Sequence, residues 1–177
     1  VENRFNKVYT TIREAFHRWI NQLEGGNPDK KIKIDVDNGI FLTFNYSDTI
    51  ESLYHVPKDK ILYIHGKANT KDELVLGHGV SYEDIEEGVK QEPYSYYDED
   101  NDCIEYEGDD LVTQRAKEAA VSGVYNQRKD VNSIISKNEG WFDSLKDVTH
   151  IHIYGHSFGN VDLPYFRKIF SSVKKHC

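Results

Sequence analysis

Gly39-Ile40-Phe41-Leu42-Thr43-Phe44-Asn45-Tyr46 decides the fold class of this 177-residue chain. A short unbroken apolar run of this kind reads as a strand buried on both faces, as in a parallel sheet. Ile61-Leu62-Tyr63-Ile64 repeats the pattern and ends at His65-Gly66. Leu74-Val75-Leu76 ends at Gly77-His78-Gly79, and His150-Ile151-His152-Ile153-Tyr154 ends at Gly155-His156-Ser157-Phe158-Gly159. Helical spacing flanks these runs. Phe5, Val8, Tyr9, Ile12, Phe16, Trp19, Ile20 and Leu23 fall at three- and four-residue steps, and Gly25-Gly26-Asn27-Pro28 stops them. Ser47 or Asp48 is placed to cap a short helix through Glu51. One longer helix is predicted from Leu111 to about Lys137, with Val124, Val131 and Ile135 facing in. Asp162 is predicted to cap a last helix that has Pro164 in its first turn and Tyr165, Phe166, Ile169, Phe170 and Val173 on its buried face.

Strands alternating with helices predict an α/β fold, an open, mainly parallel, Rossmann-like sheet with flanking helices. The expectation is a single domain over residues 1–177. In open parallel sheets, ligands sit beyond the carboxyl ends of the strands. Asn45, His65, His78 and Ser157 are therefore expected at one sheet edge.

Charge and composition narrow the function classes. The net charge of −8 is local: residues 83–110 hold 13 acidic side chains against Lys90 alone, a net of −12, which leaves +4 on the other 149 residues. That stretch reads as a solvated acidic loop or insertion. Neither part offers the basic stripe that nucleic-acid binding needs, so nucleic acid is not an expected partner. No run of about 18 apolar residues spans a membrane, and Val1-Glu2-Asn3-Arg4-Phe5 lacks a signal-peptide core. Cys103 and Cys177 form neither a disulfide framework nor a zinc spacing, which fits free thiols in a reducing cytoplasm. The chain has no methionine and opens at Val1 inside a helical pattern, so the expectation is the C-terminal part of a longer domain.

Several motifs have two readings. Gly155-His156-Ser157-Phe158-Gly159 matches the G-x-S-x-G nucleophile elbow, but the acid and histidine of such a triad should follow on later strand tips, and 18 residues remain. A glycine-rich turn before a helix equally suits a phosphate. Asp98-Glu99-Asp100-Asn101-Asp102 suggests a calcium loop, but Cys103 stands where glycine is needed. His150 and His152 share a strand face without a third metal ligand at a telling spacing, and no metal is expected. Asn45 ends an apolar strand, so its amide either closes an Asx turn or faces a cavity. His65-Gly66 is either a tight turn or a functional strand end.

Thr43-Phe44-Asn45-Tyr46-Ser47-Asp48 with Glu51, then Ile64-His65-Gly66, Gly77-His78-Gly79, and Gly155-His156-Ser157 with Asp162-Leu163-Pro164-Tyr165 resemble, in this order, the AbiH family of bacteriophage abortive infection proteins. That family is in turn similar to sirtuin-like NAD-binding domains. The resemblance implies a nucleotide pocket with NAD as substrate or ligand. It places Asn45 near the nicotinamide ribose and makes His65 the general base. Thr43, Gly66, Gly155, Ser157 and Asp162 then belong to the cofactor-binding set, with Gly155 and Ser157 at the ribose or phosphates. It also implies a phage-derived trigger as partner and leaves room for an oligomer. An N-terminal strand with a Gly-Asn-Gly-Phe-Asp loop, expected in the family, is not in this chain.

The groups suit that chemistry. Breaking the nicotinamide–ribose bond releases a good leaving group, so the protein must chiefly hold the ribose and place a water. An amide such as Asn45 donates and accepts at once. A neutral imidazole such as His65 can take a proton near pH 7. A nucleotide sensor without turnover, a serine hydrolase using Ser157, and a toxin acting on RNA through the histidines are the rival readings.

Overall fold

The computed structural model describes residues 2–22, 32–90, 95–97, 99–100, 102–105 and 108–174. The chain is mixed α/β and divides into two compact units, Val1–Thr10 with His78–Arg128 and Thr11–Gly77 with Lys129–Cys177. Helix α1, Glu2–Ile20, runs from one into the other. The Gly25–Pro28 stop expected after it lies outside the described residues.

The first unit contains the acidic stretch, which carries secondary structure of its own. Helix α3, Tyr82–Glu87, starts at Ser81, whose hydroxyl accepts the Asp84 N–H. Its acidic side chains Glu83, Asp84, Glu86 and Glu87 are exposed. Strands β3, Ser95–Tyr97, and β4, Cys103–Glu105, pair antiparallel, in keeping with the sheet preference of tyrosine. Helix α4, Leu111–Tyr125, is capped by Asp110, whose carboxylate accepts the Thr113 N–H at 2.7 Å.

The long helix expected to reach Lys137 ends at Tyr125. Helix α5, Val131–Lys137, starts afresh because Asp130 accepts the Ser133 N–H and so acts as a new N-cap. Val124 and Phe170, expected inward, are exposed.

The second unit is built on two strands. β1, Phe41–Thr43, and β2, Ile61–Tyr63, pair in parallel with Phe41 opposite Ile61 and Thr43 opposite Tyr63. The pairing continues one step, as the Ile64 N–H donates to the Thr43 carbonyl. Helix α2, Thr49–Tyr54, connects them; neither Asp48 nor any other side chain caps its start. Ile64, Val131, Phe142, Leu145 and Tyr165 form the core, with Leu42, Phe44 and Leu62 packed against it. Helix α6, Glu139–Asp143, and helix α7, Leu163–Ser172, close over that core.

Among the described residues the parallel ladder has two strands, not the four that an open, Rossmann-like sheet was expected to draw from this sequence. The third run, 74–76, makes no ladder because side chains take its backbone groups. Arg13 donates to the Leu74 carbonyl at 2.8 Å and Tyr46 to the Val75 carbonyl at 2.7 Å, while the Val75 N–H bonds the His65 carbonyl. The fourth run, 150–154, makes no backbone–backbone hydrogen bond among the described residues, and all five of its residues are exposed. No described helix is long and apolar enough to cross a membrane.

Candidate functional site

The parallel strands end at a buried polar centre. Thr43 is buried, and its hydroxyl accepts the Asn45 N–H at 3.1 Å, which turns the chain away from β1. The next residue, Tyr46, donates its hydroxyl to the Val75 carbonyl. On the neighbouring strand, Gly66 adopts a φ of +84°, and a Cβ there would meet the Glu73 carbonyl oxygen at 2.7 Å. Glycine is required by this turn alone, independently of any ligand. The turn holds His65 with its imidazole facing inward at 3% exposure.

His65 lies edge-on to Phe44 and Tyr165. Its Nε2 is buried without a hydrogen-bond partner, 3.6 Å from Asp162 Oδ1. Burial, helped by the nearby Lys129 cation, pushes the imidazole down to about 4, against the opposing pull of Asp162. His65 is therefore neutral at pH 7.

Asp162 stands at the head of α7, yet its side chain makes no capping hydrogen bond. The expected cap is corrected: the carboxylate faces three other side chains. Oδ1 lies 3.5 Å from Lys129 Nζ as well as 3.6 Å from His65, and Oδ2 lies 3.7 Å from His156 Nε2. His156 is held by tilted and edge-on ring contacts, its ring 4.4 Å from that of Phe44 and 4.7 Å from that of Phe166. Its Nδ1 accepts the Phe158 N–H, so Nε2 carries the hydrogen that points toward Asp162. Tyr165 is fully buried and its hydroxyl is also unpartnered. Burial first, then the Asp162 charge, raises its phenol.

Two buried polar atoms without partners are costly, about 1–3 kcal/mol each. Asp162 and Lys129 bring one charge of each sign to the centre.

Not every expected residue joins this centre. His65, Asp162, and His156 from the Gly155–Gly159 turn come together. Asn45 and Ser157 are exposed, and among the described residues no hydrogen bond ties either to the cluster. Gly155 has a φ of +64° and Phe158 one of +55°, so the turn is irregular where a nucleophile elbow needs a strand. His78 belongs to the first unit, where Nε2 meets the Val124 carbonyl and Nδ1 accepts the Val80 N–H. Glu51 forms a separate structural knot, accepting Lys67 at 2.6 Å and the Tyr63 hydroxyl at 3.1 Å. Burial works to raise its carboxyl, but these two donors outweigh it and hold the group low. Among the described residues no three metal-ligating side chains cluster.

Sequence reading missed Lys129 entirely, because a continuous helix was drawn through it. Tyr165 was placed correctly as buried, but nothing in its spacing marks the hydroxyl as unpartnered.

The family model for "Bacteriophage abortive infection AbiH" matches residues 1–177. Neither the curated proteins nor the solved structures provide a match. With the whole chain matched, the protein belongs to the AbiH family of bacteriophage abortive infection proteins.

Proposed function

We propose that this chain serves abortive infection by hydrolysing NAD at the nicotinamide–ribose bond. The observation that carries the reading is the buried His65 Nε2, unpartnered and 3.6 Å from Asp162, at the carboxyl ends of two parallel strands. An imidazole with a free lone pair can accept the proton of an attacking water. Water then bonds to the anomeric carbon as the carbon–nitrogen bond breaks. Nicotinamide leaves as a neutral amide, ADP-ribose forms, and His65 passes the proton to solvent. Asn45, exposed two residues beyond β1, is available to orient the ribose 2′-hydroxyl. The exposed Gly155–Ser157 turn is available to the remainder of the nucleotide.

The test is nicotinamide release by purified protein, with phage yield measured in cells expressing it. His65→Ala and Asn45→Ala are expected to lower release at least ~100-fold and to restore phage growth. Undiminished release in either variant removes that residue from the mechanism.

A non-catalytic nucleotide sensor is the second reading, favoured by the 3% exposure of His65. Calorimetry with NAD and ADP-ribose separates the two: binding without nicotinamide release selects the sensor.

A further inference from the structure

We propose that Lys129 is a positioning residue for His65: its ammonium shares the Asp162 oxygen that faces Nε2, fixing that carboxylate and keeping the imidazole an unprotonated acceptor. The inference rests on the reading of His65 as the proton acceptor, and it is measured on the imidazole itself, so the two fail separately.

Three observations support it. Lys129 is nine-tenths buried, with 10% of its side chain exposed, so it is not a surface charge that happens to lie near a carboxylate. Its ion-pair partner is Asp162 Oδ1, the same oxygen that lies 3.6 Å from His65 Nε2. Its backbone is anchored, because Asp130, the next residue, caps α5, and Val131 sits in the core. The ammonium therefore approaches Asp162 from a fixed direction.

The electrostatics follow from this geometry. A buried carboxylate draws a positive charge from whatever is nearest. With Lys129 present, that charge is already supplied. Without it, the protonatable groups left at the carboxylate are His65 at 3.6 Å and His156 at 3.7 Å, and a protonated His65 has no lone pair to offer. The groups facing His65 are Asp162 from the head of α7, Lys129 before α5, His156 from the turn, and the phenols of Tyr165 and Tyr46. Among these, Asp162 favours the imidazolium, and Lys129 and His156 oppose it.

The experiment is an NMR pH titration of the full chain with 13C-labelled histidine, the His65 signal being assigned by its loss in His65→Gln. In the natural chain His65 is expected to stay neutral down to about pH 4. Lys129→Met should raise its proton affinity at least tenfold. Asp162→Asn should lower it, and Lys129→Arg should leave it near the natural value. A His65 titration unmoved by Lys129→Met overturns the proposal. If Lys129→Met does not fold, the double variant Lys129→Met/Asp162→Asn decides. Recovery of folding on removing both charges supports charge compensation. Failure of both variants assigns Lys129 to packing and overturns the proposal. None of these outcomes depends on NAD turnover.

Discussion

The end of β2 and the segment 150–154 both carry isoleucine into a glycine-containing turn, but Ile64 is 3% exposed and Ile153 is 40% exposed. Ile64 follows a strand that is hydrogen-bonded to β1, and its own N–H continues that ladder to the Thr43 carbonyl. Its side chain is driven into the core with Phe142 and Tyr165. The segment around Ile153 makes no such bond, and its side chains stay outside. It is fastened just beyond its far end, where the ring of His156 packs against those of Phe44 and Phe166. A strand pattern is thus a capacity to pair; burial follows only where a second backbone edge is in register. Both segments still deliver an imidazole to Asp162, one by backbone pairing and the other by aromatic ring contacts.

The contrast is broken or sharpened by four measurements. Ile64→Ala should lose about 2–5 kcal/mol in urea unfolding, because it empties a packed core position. A loss below about 1 kcal/mol there would make the two isoleucines equivalent. The second measurement reads the imidazole that the ladder buries. His65 falls from an unfolded value of 6.5 to about 4 in the fold. The folded state then resists protonation, so its contribution is complete above pH 6.5 and is lost as pH falls toward 4. The expected loss is about 3 kcal/mol, and His65→Leu should flatten that part of the stability–pH curve. Third, Gly66→Ala should cost about 2 kcal/mol. It adds a Cβ at a φ of +84° and 2.7 Å from the Glu73 carbonyl oxygen. Gly155→Ala, where nothing lies within 4 Å of the added atom, should cost less by thermal denaturation. Smallest of all, Ile153→Ala should change stability by under about 1 kcal/mol. A larger loss would show that segment 150–154 is buried in solution.

Much of the fold was legible along the chain. The runs 40–46 and 61–64 announced the parallel pair, and the 3.6-residue spacing announced α1 and α7. His65 and Asp162 were legible as polar groups at element ends, His65 closing the 61–64 run and Asp162 standing just before α7. The break at Asn126–Asp130 was less visible, since apolar spacing continues on both sides while Asp130 starts a new helix. The capping role expected of Asp162 was a local inference that two imidazoles and an ammonium overruled. A carboxylate gains more from buried charges than from one exposed N–H. Lys129 left no mark, since lysine is among the commonest surface residues and its burial depends on a partner 33 residues away.

By itself the sequence determined a mixed α/β class, the two strands 41–43 and 61–63 and the groups at their ends, because hydrophobic spacing and glycine conformation act over a few residues. Only the tertiary structure decided which runs pair and which side chains share the Asp162 carboxylate. Hydrogen-bond register and buried electrostatics join residues far apart in the chain, and their strength depends on how completely water is removed around them.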